Sequence, residues 1–180
     1  MTTPGIIDEK ITVSDYNPQW PELFKEEAFE IHNVLSPVKF KLEHIGSTAV
    51  IGLSAKPVVD IMLGPTSWKS LPEIKSGLIA LGYEYLGEAG VPGREYFRKR
   101  RAQAFNVHIM LSDSELWRNN ILLRDYLLSQ PEAAKKYAQI KEEAIAQRID
   151  TLIAYSNHKT QFIAALLTEA RTAVTKQAPL

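Results

Sequence analysis

The stretch WPELFKEEAFEIHNVL carries apolar residues at Trp20, Leu23, Phe24, Ala28, Ile31, Val34 and Leu35. Recurrence at three and four residues predicts an amphipathic helix, opened by Pro21 and broken by Pro37. The pattern then changes period. VKFKLEHI alternates Phe40, Leu42 and His44 against Lys41, Glu43 and Ile45, which predicts a strand with one polar face. KPVVDIML is almost continuously apolar and predicts a strand buried on both faces.

Beyond it, SWKSLPEIKSGLIALGY predicts a helix capped by Ser67 or Ser70 and ended by Gly82. YEYLG, a Gly-Pro-Gly-rich turn, REYFRKR and AFNVHIML follow as extended runs of a meander. From SDSELWRNNILLRDYLLSQ onward the period is helical, with Ser112 or Asp113 as cap and Pro131 opening the next helix. A last helix is expected over about Tyr155 to Thr175, with Phe162, Ile163, Leu166 and Leu167 on one side. Strands first and helices last predict an α+β domain, a mixed sheet packed by helices with a helical C-terminal third.

A chain of 180 residues suits one domain over 1–180, with a core at about 10–112 and a helical part at about 113–175. No repeat or linker divides it. Lys plus Arg and Asp plus Glu are 21 each, and this zero net charge argues against nucleic acid as the main partner. The absence of cysteine excludes disulfides, thiolate metal sites and a cysteine nucleophile. MTTPGIIDEK has no basic region followed by an apolar run, and no apolar stretch approaches the ~20 residues of a membrane span. The expectation is a soluble, cytoplasmic protein with no membrane partner.

Candidate chemistry concentrates in EHIGSTAVIGLSAKPVVDIML, from Glu43 to Leu63. A Gly46-Ser47 turn leaving a strand presents backbone N–H groups that can cradle a phosphate, and the Ser47 and Thr48 hydroxyls add donors. Gly-Ser in a turn is more often only a turn. Asp60, flanked by PVV and IML, is costly to bury without a partner: a divalent ion, a lysine or a ligand hydroxyl. Lys56 is a candidate partner or phosphate contact, and a structural ion pair is an equal reading of Asp60. Asn106 and His108 alternate along FNVHIML and share one strand face, where His108 could act as acid, base or ligand if that strand lies beside Asp60. The run FRKRR supplies Arg98 as a phosphate contact, set against a solvated strand end. Arg124 matters only if its helix side caps the strand ends.

ITVSDYNPQW, LEHIGSTAVIGLSAKPVVDIML, REYFRKR, FNVHIML, LLRDYLLSQPEAAKKYAQIKE and YSNHKTQFI together resemble the GrpB family, in that order and across about residues 10–165. The resemblance implies a nucleotidyltransferase-like fold, in whose superfamily a Gly-Ser element holds triphosphate and paired acids on the next strand hold Mg²⁺ or Mn²⁺. Gly46 and Ser47 match the first element, and Asp60 matches one acid, the candidate metal ligand. Val58 and Met62 occupy the alternate positions where the second acid would stand, and Asn106 replaces the first histidine of the family's His-x-His. The resemblance implies binding of a nucleotide or other phosphorylated small molecule, with Asp60 and His108 as catalytic candidates for metal-dependent nucleotidyl or phosphoryl transfer. Gly46, Ser47, Thr48, Lys56, Arg98 and Arg124 are the ligand contacts. The alternative is a non-catalytic binding or structural module with an incomplete metal site.

Overall fold

The sheet is built on its most apolar segment. In the computed structural model, which describes residues 9–177, VVDIMLGP forms β2 (Val58–Pro65), buried except at Asp60, where exposure is intermediate. The opening segment read for a targeting signal lies largely outside the described residues. β1 (Phe40–Ile45) pairs antiparallel with β2 on one side, and β5 (Ala104–Ile109) pairs parallel on the other. β4 (Glu95–Arg100) and the two-residue β3 (Glu84–Tyr85) extend the sheet antiparallel, giving the order β1-β2-β5-β4-β3. The sheet is therefore mixed, as expected.

One face is covered by α1 (Trp20–Leu35) and α2 (Leu71–Ala80). Trp20, Ile31 and Leu35 from α1 and Ile74 and Leu78 from α2 pack on Val59, Ile61, Leu63, Phe97, Val107 and Ile109 of the sheet. Each large side chain so buried contributes about 1.5–3 kcal/mol. Ser67 caps a single 3₁₀ turn, Trp68–Ser70, that leads into α2, and Gly82 at φ +85° follows its end.

The opposite face receives α3 (Glu115–Ser129), followed by α4 (Pro131–Ala146) and α5 (Leu152–Gln177). Trp117 of α3 packs with Ile45, Met62 and Met110. Gly64 permits this approach: a Cβ there would lie 2.4 Å from the Trp117 ring. The β1 face expected to be polar is thus only partly so. Ile45 is buried, because a helix distant in sequence lies over it. The α3 cap is Ser114, which accepts a hydrogen bond from Trp117 N at 3.2 Å, and not Ser112 or Asp113. Asp113 stands at φ +64°, outside helical geometry, and pairs with Lys41. A second layer joins α3, α4 and α5 to the loop before β2 through Val50, Leu53, Leu127, Tyr137 and Leu166. Among the described residues, no helix is long and apolar enough to cross a membrane.

Candidate functional site

Strand register brings the chemistry together. Asp60 of β2 stands opposite Asn106 of β5, which stands opposite Arg98 of β4; one pleat along, Met62, His108 and Tyr96 form the next row. Alternation puts these side chains on the face away from α1 and α2. Asp60 Oδ1 accepts from Asn106 Nδ2 at 2.7 Å and from His108 Nε2 at 3.0 Å. Tyr96 donates its hydroxyl to Asn106 Oδ1 at 2.8 Å, and Arg100 Nη2 donates to the same oxygen at 3.0 Å.

Burial by itself would raise the Asp60 carboxyl. The hydrogen bonds from His108 and Asn106 and the nearby Lys56 charge outweigh it and hold the group well below the usual carboxylate range. Burial pushes His108 down, against the pull of Asp60. The pair is therefore an ionised carboxylate and a neutral imidazole whose Nε2–H donates to it. Arg94 Nη1 sits 3.4 Å from His108 Nδ1, the nitrogen left to accept, and its guanidinium lies over the Tyr96 ring.

Gly46 leaves β1 at φ 71°, ψ −170°, a conformation almost confined to glycine. Its Cα faces Asp60, since a Cβ there would lie 2.7 Å from Oδ2. Ser47 to Ala49 form a single 3₁₀ turn. The Ser47 hydroxyl is 3.3 Å from Lys141 Nζ, which also donates to the Ser54 carbonyl. Thr48 is buried and bonded to His44 Nε2 at 2.9 Å. His44 stacks on Phe24, and burial pushes it down to about 4.

Lys141 is 1% exposed, and burial, with the charge of Lys159, lowers its ammonium to about 7. Lys159 is lowered by burial to about 8, partly offset by the Asp60 charge. Lys56 is lowered by burial too, and Asp60 is the largest opposing influence on it. Arg94 is lowered for the same reason, and its partners besides His108 are the carbonyls of Glu88 and Ala89. Lys56, Arg94 and Lys159, each lowered by burial, thus act electrostatically with one ionised aspartate.

Two expected contacts are placed otherwise. Arg98 is buried and held by Glu84 at 2.8 Å and Glu9 at 3.7 Å. Arg124 does reach the strand end, donating from Nη1 to Glu43 Oε2 at 2.7 Å and to the His44 carbonyl at 3.1 Å. Its Nε is bonded to Asp125 at 2.8 Å, so its charge is neutralised within the protein. Lys56 meets Glu9 at 3.8 Å, while the direct partners of Asp60 are His108 and Asn106. FRKRR is a solvated strand end only at Arg100 and Arg101, which are exposed; Arg98 and Lys99 are tied to carboxylates on opposite faces of the sheet.

Sequence reasoning missed Lys141, Lys159, Arg94 and Glu9, and took Arg98 rather than Arg100 from the run FRKRR. A signal existed for the lysines. Ala133, Tyr137, Lys141 and Ala144 fall on one helical stripe, and Tyr155, Lys159, Phe162 and Leu166 on another, so each lysine interrupts an apolar face. No comparable pattern marks Arg94 or Glu9. A surface cavity of about 570 Å³ runs along α1 beside Phe105, on the other face of the sheet, and includes no group of this cluster.

The side chains present do not fit the Mg²⁺ or Mn²⁺ implied by the resemblance. No group of three or more His, Asp or Glu side chains able to hold an ion exists among the described residues. His108 Nε2 and Asp60 Oδ1 are committed to each other, and Glu43, which could have supplemented them, is committed to Arg124. The charges of Lys56 and Lys159, which act on Asp60, oppose a divalent cation there.

The model of the family described as GrpB protein matches residues 10–169. The chain belongs to the GrpB family. It is 32% identical over 155 residues to UPF0157 protein YqkA of Bacillus subtilis, covering 86% of this chain and 45% of that protein. It is 34% identical to UPF0157 protein PA4798 of Pseudomonas aeruginosa, covering 92% of this chain and 70% of that one. The chain thus spans less than half of the Bacillus relative. The crystal structure of GrpB from Enterococcus faecalis superposes with a TM-score of 0.81 at 32% identity, covering 91% of this chain and 99% of that one. A cytoplasmic RNA terminal U-transferase superposes with a TM-score of 0.51 at 16% identity, covering 78% of this chain and 42% of that one. This GrpB chain therefore has a nucleotidyltransferase-like fold, and the departures at Val58, Met62 and Asn106 lie within its sheet.

Proposed function

We propose that this GrpB-family protein binds a phosphorylated small molecule, a nucleotide included, in the pocket between Gly46-Ser47, Asp60 and the lysines of α4 and α5, without a resident metal ion. The supporting observation is the charge arrangement. Lys141, Lys159, Lys56 and Arg94 are all desolvated at a cost to their charged forms, and Asp60 acts electrostatically on the last three. An anionic ligand offsets that cost. In this reading Lys159 and the backbone of the Gly46-Ser47 turn contact phosphate, and Lys141 ties the turn to α4. Asp60 Oδ2, which carries no hydrogen bond among the described residues, accepts one from a ligand hydroxyl or amine.

The reading is a binding module on a transferase-like fold. The incomplete metal set favours it over metal-dependent transfer. A thermal-shift titration with pyrophosphate and with nucleoside triphosphates, each with EDTA or with Mn²⁺, tests it. A ligand at ~100 times its dissociation constant adds about 2.7 kcal/mol and raises Tm by several degrees. The expected shift persists in EDTA, weakens with salt, and is lost in Lys159→Met. A shift that requires Mn²⁺ and vanishes in Asp60→Asn would instead favour the transferase. No shift with any of these anions would sink the proposal.

A further inference from the structure

Glu9, on the arm preceding α1, reaches the edge of this pocket. Its carboxylate receives Arg100 Nε on Oε2 at 3.1 Å and Arg100 Nη2 on Oε1 at 2.8 Å, the two-pronged geometry in which arginine holds a carboxylate or phosphate. Arg98 Nη1 lies 3.7 Å from Oε2 and Lys56 Nζ 3.8 Å from Oε1. Side-chain exposure is 9% for Arg98, 16% for Lys56, 23% for Glu9 and 27% for Arg100, so the cluster runs from a buried arginine to an exposed one at its outer edge. Glu9 thus faces three cations, of which Arg98 is also held by Glu84 at 2.8 Å.

The cluster is continuous with the Asp60 pocket. Arg100 Nη2 also donates to Asn106 Oδ1, and Asn106 donates to Asp60. Lys56 acts electrostatically on both Glu9 and Asp60. The arm is anchored after Glu9, by the bridges of Lys10 to Thr151 and Ser14 to Ala55, the Lys10–Asp150 ion pair and the burial of Ile11 against Ala144 and Tyr155, so moving the Glu9 side chain breaks no strand ladder.

We infer that Lys56, Arg98 and Arg100 form a second anion subsite beside the Asp60 pocket, with Glu9 as its built-in occupant, displaced when a phosphate group of the ligand enters. This rests on the phosphate-binding reading above and adds to it a self-competition. Apparent affinity is reduced by the fraction of molecules in which Glu9 fills the subsite. Removing the carboxylate clears the subsite for ligand.

The test compares pyrophosphate binding by the wild-type chain, Glu9→Gln and Glu22→Gln at about 150 mM salt, where remote charges are screened beyond roughly 8 Å. Glu22→Gln adds the same net charge on α1, where Glu22 pairs with Lys25. Glu9→Gln is expected to bind ~10-fold more tightly than both, within the usual range of coupling between sites. In the wild-type chain, pyrophosphate is expected to speed hydrogen exchange at the Ile11 amide, two residues along from Glu9, which bonds to the Asp150 carbonyl. That second readout decides the matter if Glu9→Gln does not fold. Unchanged or weaker binding by Glu9→Gln, or a gain matched by Glu22→Gln, overturns the subsite while leaving the pocket intact. If pyrophosphate binds none of the proteins, the phosphate reading itself falls, and the subsite with it.

Discussion

Gly46 and Asp60 are in contact: a Cβ on Gly46 would lie 2.7 Å from Asp60 Oδ2, on a carboxylate that His108 and Asn106 hold in place. The glycine is needed both for this approach and for its backbone angles of φ 71°, ψ −170°. Gly46→Ala is expected to destabilise the fold by about 1–3 kcal/mol and to displace Asp60. Gly52 offers the control, since it has φ +78° but an added Cβ would meet nothing within 4 Å. Denaturant melts should rank Gly46→Ala well below Gly52→Ala; equal stabilities would mean that the turn does not abut Asp60.

His108 is expected to remain neutral in the folded protein at pH 7, with its proton on Nε2. Asp60 occupies Nε2 at 3.0 Å and Arg94 faces Nδ1 at 3.4 Å, and burial lowers the ring below its ordinary 6.5. Ring ¹⁵N shifts check this directly. Arg94→Met should raise the His108 titration midpoint by removing a nearby cation, and a ring already cationic at pH 7 in the wild-type chain would contradict the assignment.

Lys141 sets a pH dependence whose sign is fixed by the direction of its shift. Its folded value of about 7 lies below the ordinary 10.5, so the unfolded chain binds the proton more readily between these values. Stability from this group is full above about 10.5 and is lost as pH falls toward 7. The Tm difference between the wild-type chain and Lys141→Met should therefore widen in favour of the wild type as pH rises from 7 to 10. A flat difference would show that the ammonium is not desolvated.

Gly64→Ala probes the packing of α3 on the sheet. A Cβ there meets the Trp117 ring at 2.4 Å, and the ring has no room in a cluster with Ile45, Met62 and Met110. Overpacking should cost about 1–3 kcal/mol. A thermal melt unchanged within about 1 °C would mean that Trp117 can move aside.

Much of the fold was legible in residue order. Period-two alternation marked β1, an unbroken apolar run marked the central β2, and prolines at 21, 37 and 131 marked helix boundaries, because each of these acts through local geometry. The α3 cap was misplaced because the left-handed turn at Asp113 is not visible in a string of good capping residues. Of the candidate site, Gly46, Ser47, Asp60 and His108 were readable as polar or flexible residues in apolar strands. Arg98 and Arg124 were readable only as cations, and their carboxylate partners Glu84 and Glu43 lie 14 and 81 residues away.

Residue order alone was enough to specify a mixed sheet with helices after it and one carboxylate on a buried strand. What surrounds that carboxylate was set by folding in three dimensions. Parallel pairing of β2 with β5 brought His108 and Asn106 to Asp60, and the return of α4 and α5 over the loop before β2 brought two lysines to the same place. Local propensity acts between neighbours in the chain, whereas the charge balance of a pocket is a sum over residues that only folding brings near.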